Sequence, residues 1–157
     1  AGLTRIVAAL GQINLGHFIP DYTAYEELLG LFRNIIPIPI VLDPANGFTA
    51  SAELLHDRIT SLGLGALLFS NPSNPTGQVV CGEHLAQCVE VIRQLHSCLI
   101  IDEFYSHYHY DTHPDHAISS AAFVQISVLL PDPRMARPTA YPYLERWGIL
   151  LQPGHRQ

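Results

Sequence analysis

GALLFSNPSNPTG, residues 65–77, is the stretch on which the fold turns. Its first half, Gly65 to Ser70, is a short and mostly apolar run, the mark of a strand covered on both faces in a parallel sheet. Its second half, Asn71-Pro72-Ser73-Asn74-Pro75-Thr76-Gly77, is a loop, punctuated by proline and glycine and rich in residues that bond their own backbone. Downstream, Gly82 to Gln94 is amphipathic, with Leu85, Cys88, Val89 and Ile92 on one face, and Ser97 to Ile101 is a second apolar run ending on Asp102. Strand, loop, helix and strand at this separation make a βαβ unit of roughly thirty residues.

Upstream the alternation continues. Ile13 to Ile19 reads as a strand, and Tyr22 to Arg33 as a helix with Tyr25, Leu28, Leu29 and Phe32 on one face. Ile35 to Leu42 is a β-branched run interrupted by Pro37 and Pro39, which confine it to a sheet edge if it forms a strand at all. Ser51 is placed to cap a helix running to about Leu62, with Leu54, Leu55 and Ile59 sharing a face and Glu53 and Asp57 early in it. Leu3, Ile6, Val7 and Leu10 recur at helical spacing before Gly11, and no capping residue precedes them. The chain is therefore expected to be a fragment that opens inside a helix. The pattern predicts an α/β fold with an open parallel sheet, whose ligands sit outside the carboxyl ends of its strands. Residues 1–123 form this unit. From 124 to 157 the periodicity fails; after the apolar Val124 to Leu130 come Pro131, Pro133, Pro138, Pro142 and Pro153, and an irregular tail is expected.

Composition narrows the function. The chain of 157 residues is 48% apolar and 14% charged, which supports one modest core. A net charge of −6 with eight scattered arginines offers no basic stripe for nucleic acid. No apolar run is long enough to span a bilayer and the first residues do not read as a secretory signal, so a cytoplasmic location without membrane partners is expected. Cys81, Cys88 and Cys98 form no C-x-x-C pair, and are expected as reduced, partly buried side chains.

Two polar clusters fall at strand ends: the Asn74 loop and Asp102-Glu103-Phe104-Tyr105. Their chemistry suits a pyridine-type cofactor. A carboxylate closing a buried strand, Asp102, keeps a ring nitrogen protonated by ion pairing. The Asn74 amide and Tyr105 hydroxyl are suitable donors to a phenolic oxygen, and Tyr22 offers an aromatic face for stacking.

Through N-P-x-N-P-T-G, the following D-E-x-Y and Pro20-Asp21-Tyr22, residues 1–123 resemble the class I and II aminotransferases of the fold-type I pyridoxal-phosphate enzymes. The resemblance implies a partial large domain that binds pyridoxal phosphate and transfers an amino group from an amino acid to a 2-oxo acid, and a homodimer. It assigns Asn74 and Tyr105 to the ring's phenolic oxygen, Asp102 to the ring nitrogen and Tyr22 to stacking. It also exposes departures. The family's glycine-rich phosphate cup would lie before Ala1, its S-x-S-K segment has no counterpart, and the chain holds no lysine at all. The family attaches the cofactor to a lysine as a Schiff base; arginine stays protonated and cannot do so, which leaves only the α-amino group. No catalytic residue is assigned, and the chain is expected to be incompetent for transamination alone, either as a relic or as a non-enzymatic partner of a full-length relative.

A further reading concerns His107, His109, His113 and His116, which could ligate zinc. The stretch approaches the H-x-H-x-D-H pattern of metallo-β-lactamase-type hydrolases, but Thr112 separates Asp111 from His113. The preferred expectation is a polar loop with no metal.

Overall fold

The computed structural model describes residues 2–108 and 149–150. In chain order the elements are α1 (Gly2–Ala9), β1 (Ile13–Ile19), α2 (Ala24–Gly30), β2 (Ile35–Val41), α3 (Ala52–Leu62), β3 (Ala66–Ser70), α4 (Gly82–Gln94), β4 (Cys98–Asp102) and β5 (Ile149–Leu150). Strands β1 to β4 are parallel and β5 lies antiparallel on β4, in the order β2-β1-β3-β4-β5. The α/β class and parallel sheet expected from the periodicity are present.

All five residues of β3 are buried, and alternate side chains enter opposite cores. Leu67 and Phe69 join Phe18, Ile40, Leu55, Ile59, Leu85 and Val89 beneath α3 and α4. Ala66 and Leu68 join Ile6, Val7, Leu15, Tyr25 and Leu29 beneath α1 and α2. Each fully buried leucine contributes about 1.5–3 kcal/mol relative to exposure, so this double burial is what holds the layers together.

The edge position of β2 follows from its prolines. Leu42 N–H donates to Ile19 O at 2.8 Å, so by alternation the even-numbered residues of the strand direct their N–H groups at β1. Pro37 and Pro39 face outward, where a missing N–H breaks no ladder bond and discourages a further strand. Helix α3 begins as its sequence predicts: Ser51 Oγ accepts from Leu54 N at 3.2 Å, and Gly63 ends the helix with φ +58°.

Helix α2 is shorter than the expected Tyr22 to Arg33. Its start is set back because the Asp21 carboxylate takes the Tyr22 N–H at 2.7 Å. Its end tightens into three-residue bonds, Leu31 N to Leu28 O and Phe32 N to Leu29 O, each 3.2 Å. Asn34 then donates its side-chain amide to Leu10 O at 2.6 Å and Gly11 O at 3.2 Å, tying the start of β2 to the end of α1.

Burial pushes the Cys88 thiol up to about 12 and the Cys98 thiol up to about 11. Within the tail expected to be irregular, Ile149 and Leu150 pair with Ile100 and Leu99; the rest of 109–157, including His109, His113 and His116, lies outside the described residues, as does the His107 side chain.

Gly16 in β1 is a sharp test of this packing. A Cβ there would sit 2.7 Å from Leu64 Cδ1 and 2.9 Å from Ile40 Cδ1, two residues of the α3/α4 core. Gly16→Val is expected to destabilise the fold by about 1–3 kcal/mol, read as a lower urea midpoint.

Candidate functional site

Chain crossovers leave β1 in opposite directions: β2 lies on one side of it and β3 on the other. The gap between the carboxyl ends of β1 and β3 is thus a topological switch point, where open α/β sheets bind ligands. Pro20-Asp21-Tyr22 follows β1 there, the Asn71 to Gly77 loop follows β3, and Asp102 closes β4 in register with Ser70.

The loop is built by its own asparagine. Asn71 is fully buried, its side chain donating to Val80 O at 2.7 Å and accepting from Val80 N at 2.9 Å, which closes the loop like a strand pair. The Asn71 N–H donates to Asp102 O at 2.9 Å, joining the loop to the end of β4. Ser73 and Gln78 close an inner turn through a 2.8 Å bond, with Gly77 at φ +70°.

Asp102 is half-buried and has two ordered partners. Tyr25 Oη donates to its Oδ2 at 2.8 Å and Phe104 N to its Oδ1 at 3.0 Å. Each carboxylate oxygen retains acceptor capacity beyond these bonds. Burial, then the charge and hydrogen bond of Asp102, raise the Tyr25 hydroxyl far above its ordinary range, so Tyr25 stays a donor. Asp21 is buried; desolvation raises its carboxyl, while hydrogen bonds from Ser70 and Tyr22 oppose the shift. Burial lowers His17 on β1, against the attraction of Glu26 and Asp21.

Three of the four residues assigned from sequence line two clefts that share Asn74, and the fourth, Asp102, lies outside both. Tyr22 and Asn74 line a cleft of about 410 Å³ with His17, Asp21 and Glu26. Asn74 and Tyr105 line a second, also about 410 Å³, with Pro72 and Tyr108. Asn74 and Pro75 belong to both. Asp102 lines neither, and Tyr22 and Tyr105 do not meet in one cleft. Among the described residues the Asn74 side-chain amide and the Tyr105 hydroxyl have no hydrogen-bond partner, whereas Tyr22 rests edge-on against Tyr25 with centroids 5.5 Å apart.

Sequence reading missed Tyr25, Ser70 and the side chain of Asp21. Tyr25 reads as part of the apolar stripe of α2, and its only signal is a polar tip on a side chain headed for the core, which needs a partner there. Ser70 and Asp21 carry no periodic signal, since their partners are 49 residues apart.

Comparison with known proteins is consistent with this geometry. The family model for aminotransferase class I and II matches residues 10–130. The chain is 30% identical over 113 residues to an aspartate aminotransferase of Streptomyces avermitilis, covering 72% of this chain and 25% of the relative. It is 27% identical over 119 residues to a 1-aminocyclopropane-1-carboxylate synthase of Vigna radiata, covering 73% and 30%. It thus spans less than a third of the length of these relatives. Among solved structures, a mutant aspartate aminotransferase from Thermus thermophilus superposes with a TM-score of 0.65 at 24% identity, covering 77% of this chain and 32% of that one. A PLP-bound C-S lyase from Staphylococcus hominis gives 0.57 at 22%, covering 66% and 27%.

The buried imidazole gives this site a pH signature. Because the folded state holds His17 below the ordinary value of about 6.5, the unfolded chain binds that proton more tightly. Stability from a neutral His17 is therefore present above about pH 6.5 and lost as pH falls through the lowered folded value. His17→Leu is expected to flatten part of the fall in urea midpoint between about pH 7.5 and 5.5.

Proposed function

The chain belongs to the class I and II aminotransferase family, and from that premise we propose that the carboxyl edge of its sheet is the ring-binding side of a pyridoxal-phosphate site. The family is pyridoxal-phosphate-dependent and acts on amino acids and 2-oxo acids. When bound, the cofactor supplies a protonated pyridine ring that draws electron density from the substrate.

The observation that carries the reading is Asp102 at the end of β4, oriented by Tyr25 Oη at 2.8 Å and Phe104 N at 3.0 Å, with acceptor capacity to spare. In this reading Asp102 holds the ring nitrogen's proton, and Tyr25 keeps the carboxylate facing one way. Asn74 and Tyr105 donate to the phenolic oxygen, which suits an amide and a hydroxyl that have no hydrogen-bond partner among the described residues. Tyr22 is half exposed, braced on Tyr25, and presents its ring for stacking. The described arginines, Arg5, Arg33, Arg58 and Arg93, line neither cleft, so the reading assigns no phosphate partner.

Ring binding and turnover part company here. None of the 157 residues is a lysine, so the chain has no side-chain amine for covalent attachment and none for moving the substrate's proton. We propose that these residues alone bind the ring without turning over substrate.

Pyridoxamine 5′-phosphate carries its own amine and tests ring binding without a lysine. Calorimetric titration of the chain is expected to show saturable binding, weakened about tenfold or more by Asp102→Asn, since a hydrogen bond to a charged group contributes about 1.5–3 kcal/mol. Wild-type chain that stays folded and gives no heat at millimolar ligand would sink the site. Amino acid and 2-oxo acid mixtures with added pyridoxal phosphate are expected to give no product; turnover would refute the second half of the proposal.

A further inference from the structure

Asp21 is a buried carboxylate whose hydrogen bonds come from uncharged donors rather than a cation. Its Oδ1 accepts from Tyr22 N at 2.7 Å and from the Ser70 hydroxyl, and its Oδ2 accepts from Ser70 N at 3.0 Å. The Ser70 hydroxyl in turn accepts from Asn74 N at 3.1 Å. Proton bookkeeping fixes the direction of this chain. An amide N–H can only donate, so Ser70 Oγ must accept from Asn74, and its single proton goes to Asp21.

From this we infer that Asp21 and Ser70 are a positioning pair that locks the turn bearing Tyr22 to the loop bearing Asn74. One carboxylate gathers the Tyr22 backbone and both polar groups of Ser70, and Ser70 passes the constraint to the Asn74 backbone. The lock spans the switch point from β1 to β3, the two strands whose following turns hold those side chains. Its bearing on cofactor binding rests on the reading of Tyr22 and Asn74 as ring contacts; the lock itself does not.

Asp21→Asn is not conservative here. In either orientation of the new amide, an NH₂ group faces a donor, either Ser70 N–H or the Tyr22 N–H and Ser70 hydroxyl pair. Ser70→Ala removes the relay and leaves Asn74 N–H without its acceptor.

The test is backbone amide exchange by NMR on the full chain, read beside pyridoxamine 5′-phosphate affinity. Ser70→Ala and Asp21→Asn are each expected to speed exchange at Asn74 about tenfold or more, while Val80, held by the Asn71 side chain, keeps its wild-type rate. The double variant is expected to match Ser70→Ala alone, because the two residues act in series. Pyridoxamine 5′-phosphate affinity is expected to fall about threefold or more in each. Wild-type exchange at Asn74 in either folded variant, or rates that simply add in the double, overturns the lock even where the ligand binds. The expected exchange pattern in a chain that binds no ligand upholds the lock and defeats the ring reading instead. Should Ser70→Ala also lose protection at core Ile100, Asp21→Asn alone decides.

Discussion

Burial of β3 on both faces and both edges is the constraint on which the rest of the structure depends. A strand of Ala66, Leu67, Leu68, Phe69 and Ser70 with no exposed residue must satisfy its backbone through β1 on one side and β4 on the other. It must also be roofed by helices on both faces, which α1 and α2 provide for one core and α3 and α4 for the other. Parallel pairing then puts the ends of β1, β3 and β4 at one edge, and the chain has no choice but to emerge there in loops.

Those loops carry an unusual electrostatic burden. Asp21 and Asp102 lie near enough for each charge to act on the groups around it, and no arginine among the described residues lines the clefts beside them. Uncharged donors hold them instead: Tyr25 and a backbone amide for Asp102, Ser70 and two backbone amides for Asp21. A carboxylate held this way stays oriented while retaining capacity for a cationic partner, the property on which the proposed ring contact at Asp102 rests. Tyr25 makes the arrangement robust, because its raised acidity threshold keeps it a donor at any physiological pH.

Much of this was legible in the order of residues. Periodicity locates β1 and α4 to within a residue or so, and the β-branched run of β2 shows its bounds, while Pro37 and Pro39 inside it leave strand and non-strand both open until the sheet forms. Ser51 announces its helix through a side chain acting three residues away, a distance that sequence encodes directly. Helix α2 shows where such reasoning stops. Its apolar stripe runs past both ends of the true helix, and what shortens it is Asp21 on one side and Asn34 on the other, the latter bound to carbonyls more than twenty residues away.

The sequence by itself determined the class of fold, the family, and which strand ends carry Tyr22, Asn74, Asp102 and Tyr105, because alternation of apolar runs and a dense loop motif are local properties of the chain. Tertiary structure decided how those side chains are held. It paired Tyr25 with Asp102 across 77 residues and Asp21 with Ser70 across 49, and it put Tyr22 and Tyr105 in two clefts that share Asn74 while leaving Asp102 outside both. A hydrogen bond of that kind depends on where two distant strand ends arrive in space, and only closing the sheet brings them within about 3 Å.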